Sequence, residues 1–437
     1  MVNDIKGENW LYTAAYRKSL GHKVFRFEAT ADGIEKVSCH YNPMVEIRKG
    51  TVYEYQDAKN IALAIVSPDR TKDPFFAPSA GVYLTAVILH VLYMVKSRIA
   101  NLADVYNFIT SPQFTEDQKL QQMINSEHNS DGAEDLFYNI YNDVTILKTG
   151  EELPRTHPSV SKIGAEMADR ADKERSGIIS CAKIDLEAFI VPTIARNTAY
   201  SDFRISDLMN SEVPMDLYFV TAPNSVDITA VLLKLFITQI LYILTDSMEL
   251  NKQGENIAFK HRLLLLLDEL TAIGKVDMLH KAISYIRGWG MKALIIIQDM
   301  KQLKEVYGEN NSFLGNMSTT LYYTTNDVDT AKYVETRLGN KTEKILTKSY
   351  SQGLLFKKMN YSESYVGRPL MRAEEVHTMD EKQTLLKQIK DIYSAPTTNP
   401  ANFQQIQAFY QEVKKAEVVT NEMRLKAHNM SHGLFLD

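Results

Sequence analysis

The chain has 437 residues with 49 basic and 54 acidic side chains, a formal net charge of −5. Its overall field therefore does not favour nucleic acid, and any such contact would have to come from a local basic patch or from one face of an assembly. The length allows a large core in two or three compact units, and the two cysteines, Cys39 and Cys181, lie far apart with no CxxC or Cys/His cluster, which fits a reduced setting and not a metal centre.

Met1-Val2 reads as the end of a buried strand running into a charged turn, Asp4-Ile5-Lys6-Gly7-Glu8. No apolar run follows a basic start, so no signal peptide is expected. Gly21–Phe27 alternates well enough for a short strand, closed by the polar turn Ala31-Asp32-Gly33. Residues 54–67 have helical periodicity, and Asp73-Pro74 opens a long apolar helix that runs to Lys96. The apolar run Ala80–Lys96 is interrupted by His90 and is shorter than the ~20 residues a spanning helix needs. A second run, Ile228–Thr245, carries Lys234 and Gln239. Both are expected to be buried core helices, so the chain as written is not expected to span a membrane.

From Asn101 to Asp185 the pattern is helical, broken at Ser111-Pro112, Asp131-Gly132, Thr149-Gly150 and His157-Pro158, with Thr115 as an expected N-cap. Strands return at Met215–Pro223, at Leu263–Leu267, at Lys292–Asp299 and at Thr319–Asn326, alternating with helices over short links. Continuous apolar strands in that alternation predict an α/β fold around a mainly parallel sheet buried on both faces. Lys341–Tyr365 is rich in Ser, Thr, Lys and Tyr, like a solvated hairpin, and a polar helical tail is expected after Pro396 and Pro400. The expected division is 1–100 and 186–395 as two parts of one α/β domain, 101–185 as an all-helical insert, and 396–437 as the tail.

Chemistry concentrates at Leu263–Leu270, where five leucines form an expected fully buried strand ending in Asp268 and Glu269. Ligands of open α/β sheets bind beyond the carboxyl ends of the strands. There an acid pair suits nucleotide hydrolysis, with Asp268 holding a water of a Mg²⁺ shell and Glu269 orienting or deprotonating the attacking water. The same Asp-Glu pair could equally be the acidic first turn of a helix. Gln298 ends the next apolar strand one βαβ step later, where its amide could sense a γ-phosphate. The phosphate cradle itself, G-x-x-x-x-G-K-[ST], is not found: Gly274-Lys275-Val276 lacks the hydroxyl and the earlier glycine.

Residues 268–340, with the opening stretch 4–27, the segments Glu174–Phe189 and Ser201–Leu208, and Val366–Val376, resemble the type IV secretion coupling proteins, the conjugative DNA transfer ATPases. The resemblance implies a RecA-like P-loop NTPase core whose P-loop strand, expected beside the Walker B strand, and membrane helices precede the point where this chain starts. It implies that Asp268 and Glu269 are the Walker B pair, that Gln298 is the sensor glutamine, and that Asp4 and Lys6 form a charged turn near the nucleotide. Arg337 and Arg368 are arginine-finger candidates, each with a surface-charge alternative. ATP and Mg²⁺ are the implied cofactors. The implied partners are a single-stranded DNA–relaxase complex or secreted proteins, the secretion-channel ATPases, and further copies in a hexamer at the cytoplasmic face of a bacterial inner membrane. Lys348, Lys357 and Lys358, near tyrosines, are candidates for contact with single-stranded DNA, or a solvated charge run. Lacking a phosphate cradle, the chain alone is not expected to hydrolyse ATP; a non-hydrolysing substrate-binding subunit and a septal DNA translocase are the alternatives.

Overall fold

The computed structural model describes residues 1–66, 75–129, 155–249, 257–323, 325–352, 357–379 and 385–388, with backbone alone at 349–352, 357–360 and 385–388. The expected tail, the turns at Asp131-Gly132 and Thr149-Gly150 and the glycine break at Gly353 lie outside these residues. Met1–Ile296 packs as one compact unit and a second begins at Ile297.

In the first unit the apolar strands β1 (Val2–Ile5), β2 (Lys23–Phe27), β3 (Met215–Thr221), β4 (Leu263–Leu267) and β5 (Met291–Ile295) form one sheet in the order β2-β3-β1-β4-β5. All four pairings are parallel. Helix α1 (Glu8–Ser19) returns across one face and packs Trp10 and Ala14 on Tyr218 and Val220, with Val2, Leu11 and Val24 around them. Trp10 meets Tyr218 edge-on, with ring centroids 5.3 Å apart.

The register aligns Tyr218 with Val2, Val2 with Leu266, and Leu266 with Leu294, so these side chains share the face that α1 covers. The cover stops short. Leu264 is 48% exposed, Leu294 43% and Ile296 44%, whereas Leu263, Leu265, Leu267 and Met291 on the opposite face are buried. The expectation of a sheet buried on both faces therefore fails at β4–β5, because no described helix continues the layer that α1 begins. The implied place for a further strand beside β4 is also taken, by β1 on one side and β5 on the other. Among the described residues the sheet's open edges are those of β2 and β5.

Helix α2 (Glu54–Ile65) packs on α3 (Phe76–Met94), whose residues Tyr83 to Val91 are all buried. Four more helices, α4 (Leu102–Thr110), α5 (Glu116–Asn125), α6 (Pro158–Ala168) and α7 (Asp172–Ile184), gather on α3. Thr115 caps α5 as expected: its hydroxyl accepts from the Gln118 amide at 3.2 Å and Gln118 Oε1 accepts from the Thr115 amide at 2.9 Å. His90 of α3 and Gln239 of α8 (Val226–Leu244) both find partners. Gln239 accepts from the Tyr41 hydroxyl at 2.8 Å and donates to the Pro43 carbonyl at 2.9 Å. His90 Nδ1 pairs with His128 Nε2 at 2.9 Å. The two helices are long and apolar enough to cross a membrane by length and composition, and both are core elements of this unit.

In the second unit, α9 (Met300–Tyr307) precedes β6 (Thr319–Tyr322), which pairs antiparallel with β9 (Leu385–Gln388). The strand expected at Thr319 thus does not join the parallel sheet. Tyr322 packs instead on Ala331 and Val334 of α10 (Val328–Leu338) and on Val376. Strands β7 (Asn340–Gln352) and β8 (Lys357–Pro369) make a long antiparallel hairpin.

Candidate functional site

At the carboxyl end of β4 the chain turns sharply. Glu269 adopts left-handed backbone angles, φ 49 and ψ 52, and Lys6, just past β1, has φ 91. These are the non-glycine residues with positive φ among the described residues. Such conformations cost on the order of 1–3 kcal/mol each and persist where the surroundings over-determine them, commonly at functional sites. Both strained residues follow neighbouring strands, at the same rim of the sheet. The Lys6 amide donates to the Thr221 carbonyl at 3.1 Å, which ties the β1 turn to the end of β3. Asn3, fully buried on β1, donates from Nδ2 to the Asp268 carbonyl at 2.7 Å. Its Oδ1 and the Thr221 hydroxyl are buried without a hydrogen-bond partner.

Asp268 is half-buried, and its carboxyl is pushed above the usual aspartate range by burial first and by the Glu269 carboxylate second, against the pull of the Lys6 ammonium. A carboxyl poised in this way between a like charge and a cation is a common mark of a working site. Asp4 lies in β1. Its side chain is fully buried, and its Oδ1 accepts from the Asn9 amide at 3.1 Å and from Asn9 Nδ2 at 3.2 Å. Its Oδ2 accepts from the Trp10 amide at 2.7 Å. Gly7 at the N-cap has no side chain, so Asp4 supplies the acceptors that the first turn of α1 requires. Burial raises the Asp4 carboxyl as well.

The first unit thus gathers Asp268, Glu269, Lys6 and the buried Asp4. Among the described residues no group of three His, Cys, Asp or Glu is arranged to hold a metal. A Mg²⁺ ion would be held through Asp268 and water, as this hard, hydrated ion permits.

The remaining candidates belong to the second unit. Gln298 is exposed, three residues beyond β5, and its Oε1 accepts from Gln302 at 3.4 Å. Arg368 is bound to Glu343 at 3.4 Å and to Glu375 at 2.6 Å. Arg337 lies 5.7 Å from the Tyr333 ring. Lys348 Nζ is 5.8 Å from the ring of Tyr361, which is 60% exposed on β8. Lys357 and Lys358 start β8, opposite Gln352 and Ser351. Asn3 and Thr221 were not legible as site residues. The one signal for Asn3 is a polar side chain inside the short strand Val2–Ile5.

A five-stranded parallel sheet with an acid pair after a leucine strand and helices added to one side is a RecA-like α/β core. The chain belongs to the family of type IV secretory system conjugative DNA transfer proteins, whose model matches residues 1–431. It is 32% identical over 386 residues to the conjugal transfer protein TraG of Escherichia coli, covering 86% of this chain and 56% of that one. With protein VirD4 of Agrobacterium fabrum the identity is 26% over 387 residues, covering 88% and 52%. The chain thus spans about half the length of these relatives. The bacterial conjugative coupling protein TrwBdeltaN70 has a similar fold, with a TM-score of 0.57 at 16% identity over 89% of this chain and 81% of that one. TrwB in complex with ADP and Mg²⁺ matches at a TM-score of 0.56 and 13% identity over the same shares.

Proposed function

We propose that this chain is the motor part of a coupling protein at the cytoplasmic face of a bacterial inner membrane. In this reading it recruits a single-stranded DNA–relaxase complex or a secreted protein, meets the secretion-channel ATPases, and drives transfer by ATP hydrolysis in a hexameric ring. The observation that carries the reading is the strained rim, where Glu269 and Lys6 are held in left-handed conformations beside the raised carboxyl of Asp268. Bound ATP and Mg²⁺ would supply the phosphoryl group and the charge neutralisation. Lys6 would meet the nucleotide's negative charge, Asp268 would hold a metal-bound water, and Glu269 would orient the attacking water. Gln298 is the proposed sensor, Arg368 and Arg337 remain arginine-finger candidates, and Lys348, Lys357 and Lys358 would line the path of the DNA.

The 437 residues contain no G-x-x-x-x-G-K-[ST] loop, and an acid pair alone does not position a triphosphate. We therefore propose that the chain hydrolyses ATP only when a second segment supplies that loop. The bare apolar strip of Leu264, Leu294 and Ile296 and the open edge of β5 favour such an added segment. The test is ATP turnover with Mg²⁺ and single-stranded DNA, by this chain alone and after fusion to the phosphate-binding segment of a TraG relative. Turnover by the fusion only, abolished by Glu269→Gln, supports the reading. Turnover by the chain alone, or a fusion indifferent to Glu269→Gln, refutes it.

A further inference from the structure

Asn3 stands apart from every role assigned above. It is fully buried in the central strand, yet its side chain makes a single hydrogen bond, from Nδ2 to the carbonyl oxygen of Asp268. That carbonyl belongs to the peptide joining Asp268 to Glu269. An amide bonded to a carbonyl fixes the plane of its peptide group, so Asn3 sets one side of the torsion that puts Glu269 into its left-handed conformation. The other side is held by the Leu270 amide, which donates to the Ile296 carbonyl at 3.2 Å, and by the Ala272 amide, which donates to the Glu269 carbonyl at 2.9 Å. Asn3 retains this position at a cost, because its Oδ1 is buried without a partner. An unsatisfied buried acceptor costs about 1–3 kcal/mol. An aliphatic residue would avoid that penalty in a strand otherwise built for burial, which marks the amide as kept for what its donor does.

We propose that Asn3 is a positioning residue for the acid pair, holding the Asp268–Glu269 peptide so that both carboxylates point from the rim in a set direction. The inference rests on the reading of that rim as the hydrolytic site, and its test needs no nucleotide.

Asn3→Leu keeps the approximate volume and removes both the donor and the orphaned acceptor. In the full chain, hydrogen–deuterium exchange of the peptides covering residues 265–275 should speed up by about ten-fold or more, the effect of losing one hydrogen bond. The melting temperature should stay level or rise, and the exchange of α1 should not change. The Glu269 ¹³Cα and carbonyl ¹³C shifts, which report its backbone angles, should leave the values of the left-handed conformation. Asn3→Asp, which lacks the donor when ionised, should loosen the same peptides. Should the leucine variant fail to fold, Asn3→Ser, too short to reach the carbonyl, is read in the same way. Unchanged exchange at 265–275 and unchanged Glu269 backbone shifts in folded variants would overturn the proposal. Loss of the Glu269→Gln effect on hydrolysis would instead refute the hydrolytic reading and leave the exchange result standing.

Discussion

Replacing Asp4 separates a structural carboxylate from a ligand-binding one. In Asp4→Ala the Asn9 and Trp10 amides lose their acceptor, and Gly7 offers no side chain in its place. Loss of a cap costs ~0.5–2 kcal/mol, and hydrogen bonds to a charged acceptor contribute ~1.5–3 kcal/mol each. Against this stands the desolvation of the carboxylate, which raises its pKa and is relieved by the substitution. The net expectation is a loss of about 2–3 kcal/mol, and about half that for Asp4→Asn, which keeps one acceptor. The sign with pH follows from the raised pKa. The folded chain holds this proton to higher pH than the unfolded chain, so the stability it contributes is full below the unfolded value of 3.8 and declines as pH rises through the folded one. Asp4→Asn should remove that slope. The chain has two tryptophans, so urea unfolding followed by Trp10 fluorescence in a Trp289→Phe background reports on α1 where it packs on Tyr218. A transition within about 0.5 kcal/mol of the parent, together with weakened nucleotide binding in the loop-bearing fusion, would refute the capping role and return Asp4 to the ligand site.

Lys6→Gly should stabilise the first unit by up to about 1 kcal/mol in the same titration, since glycine takes φ 91 without strain. His90 is buried and neutral, with its pKa lowered by burial from 6.5 to about 4. Stability should therefore fall as pH drops through that window, by about 3 kcal/mol from this group. His90→Leu should flatten the dependence of melting temperature on pH between those limits, and an unchanged slope would exclude His90 as its source. Leu265→Ala should cost about 2–5 kcal/mol of stability in urea and Leu264→Ala under about 1 kcal/mol, because Leu265 is fully buried and Leu264 is 48% exposed; equal losses would mean that the strip is covered in solution.

Much of this architecture was legible because the signals were local. The five leucines of β4 gave the strand, its length and the acid pair after it. Ser/Thr capping chemistry gave the start of α5, and the runs interrupted by His90 and by Lys234 and Gln239 were read as buried core helices, as they are here. What escaped was set by neighbours distant in sequence. The same five leucines read as buried throughout, yet whether Leu264 is covered depends on how far α1 reaches across the sheet. The resemblance put Asp4 in a charged turn near the nucleotide. Its hydrogen bonds from the amides of Asn9 and Trp10 appear only once the turn at Lys6 and Gly7 folds α1 back. Asn3 offered a single polar letter in a short strand, with its partner more than 260 residues away. The Thr319 strand carried the right composition for the sheet, but composition does not specify which edge a strand joins, and Leu385–Gln388 claimed it.

The central place of β1 also has a consequence for biosynthesis. Its neighbours on either side are residues 218–221 and 266–267, so this strand leaves the ribosome long before either partner exists. At ~5–20 residues per second, roughly 13–50 s separate its synthesis from that of β4. Until β3 emerges, Val2 and Ile5 lack their first partner strand and α1 lacks the Tyr218 and Val220 on which it packs. The nascent chain should therefore be a client for holding chaperones until that strand emerges, and translation arrested before residue 215 should leave β1 open to proteases.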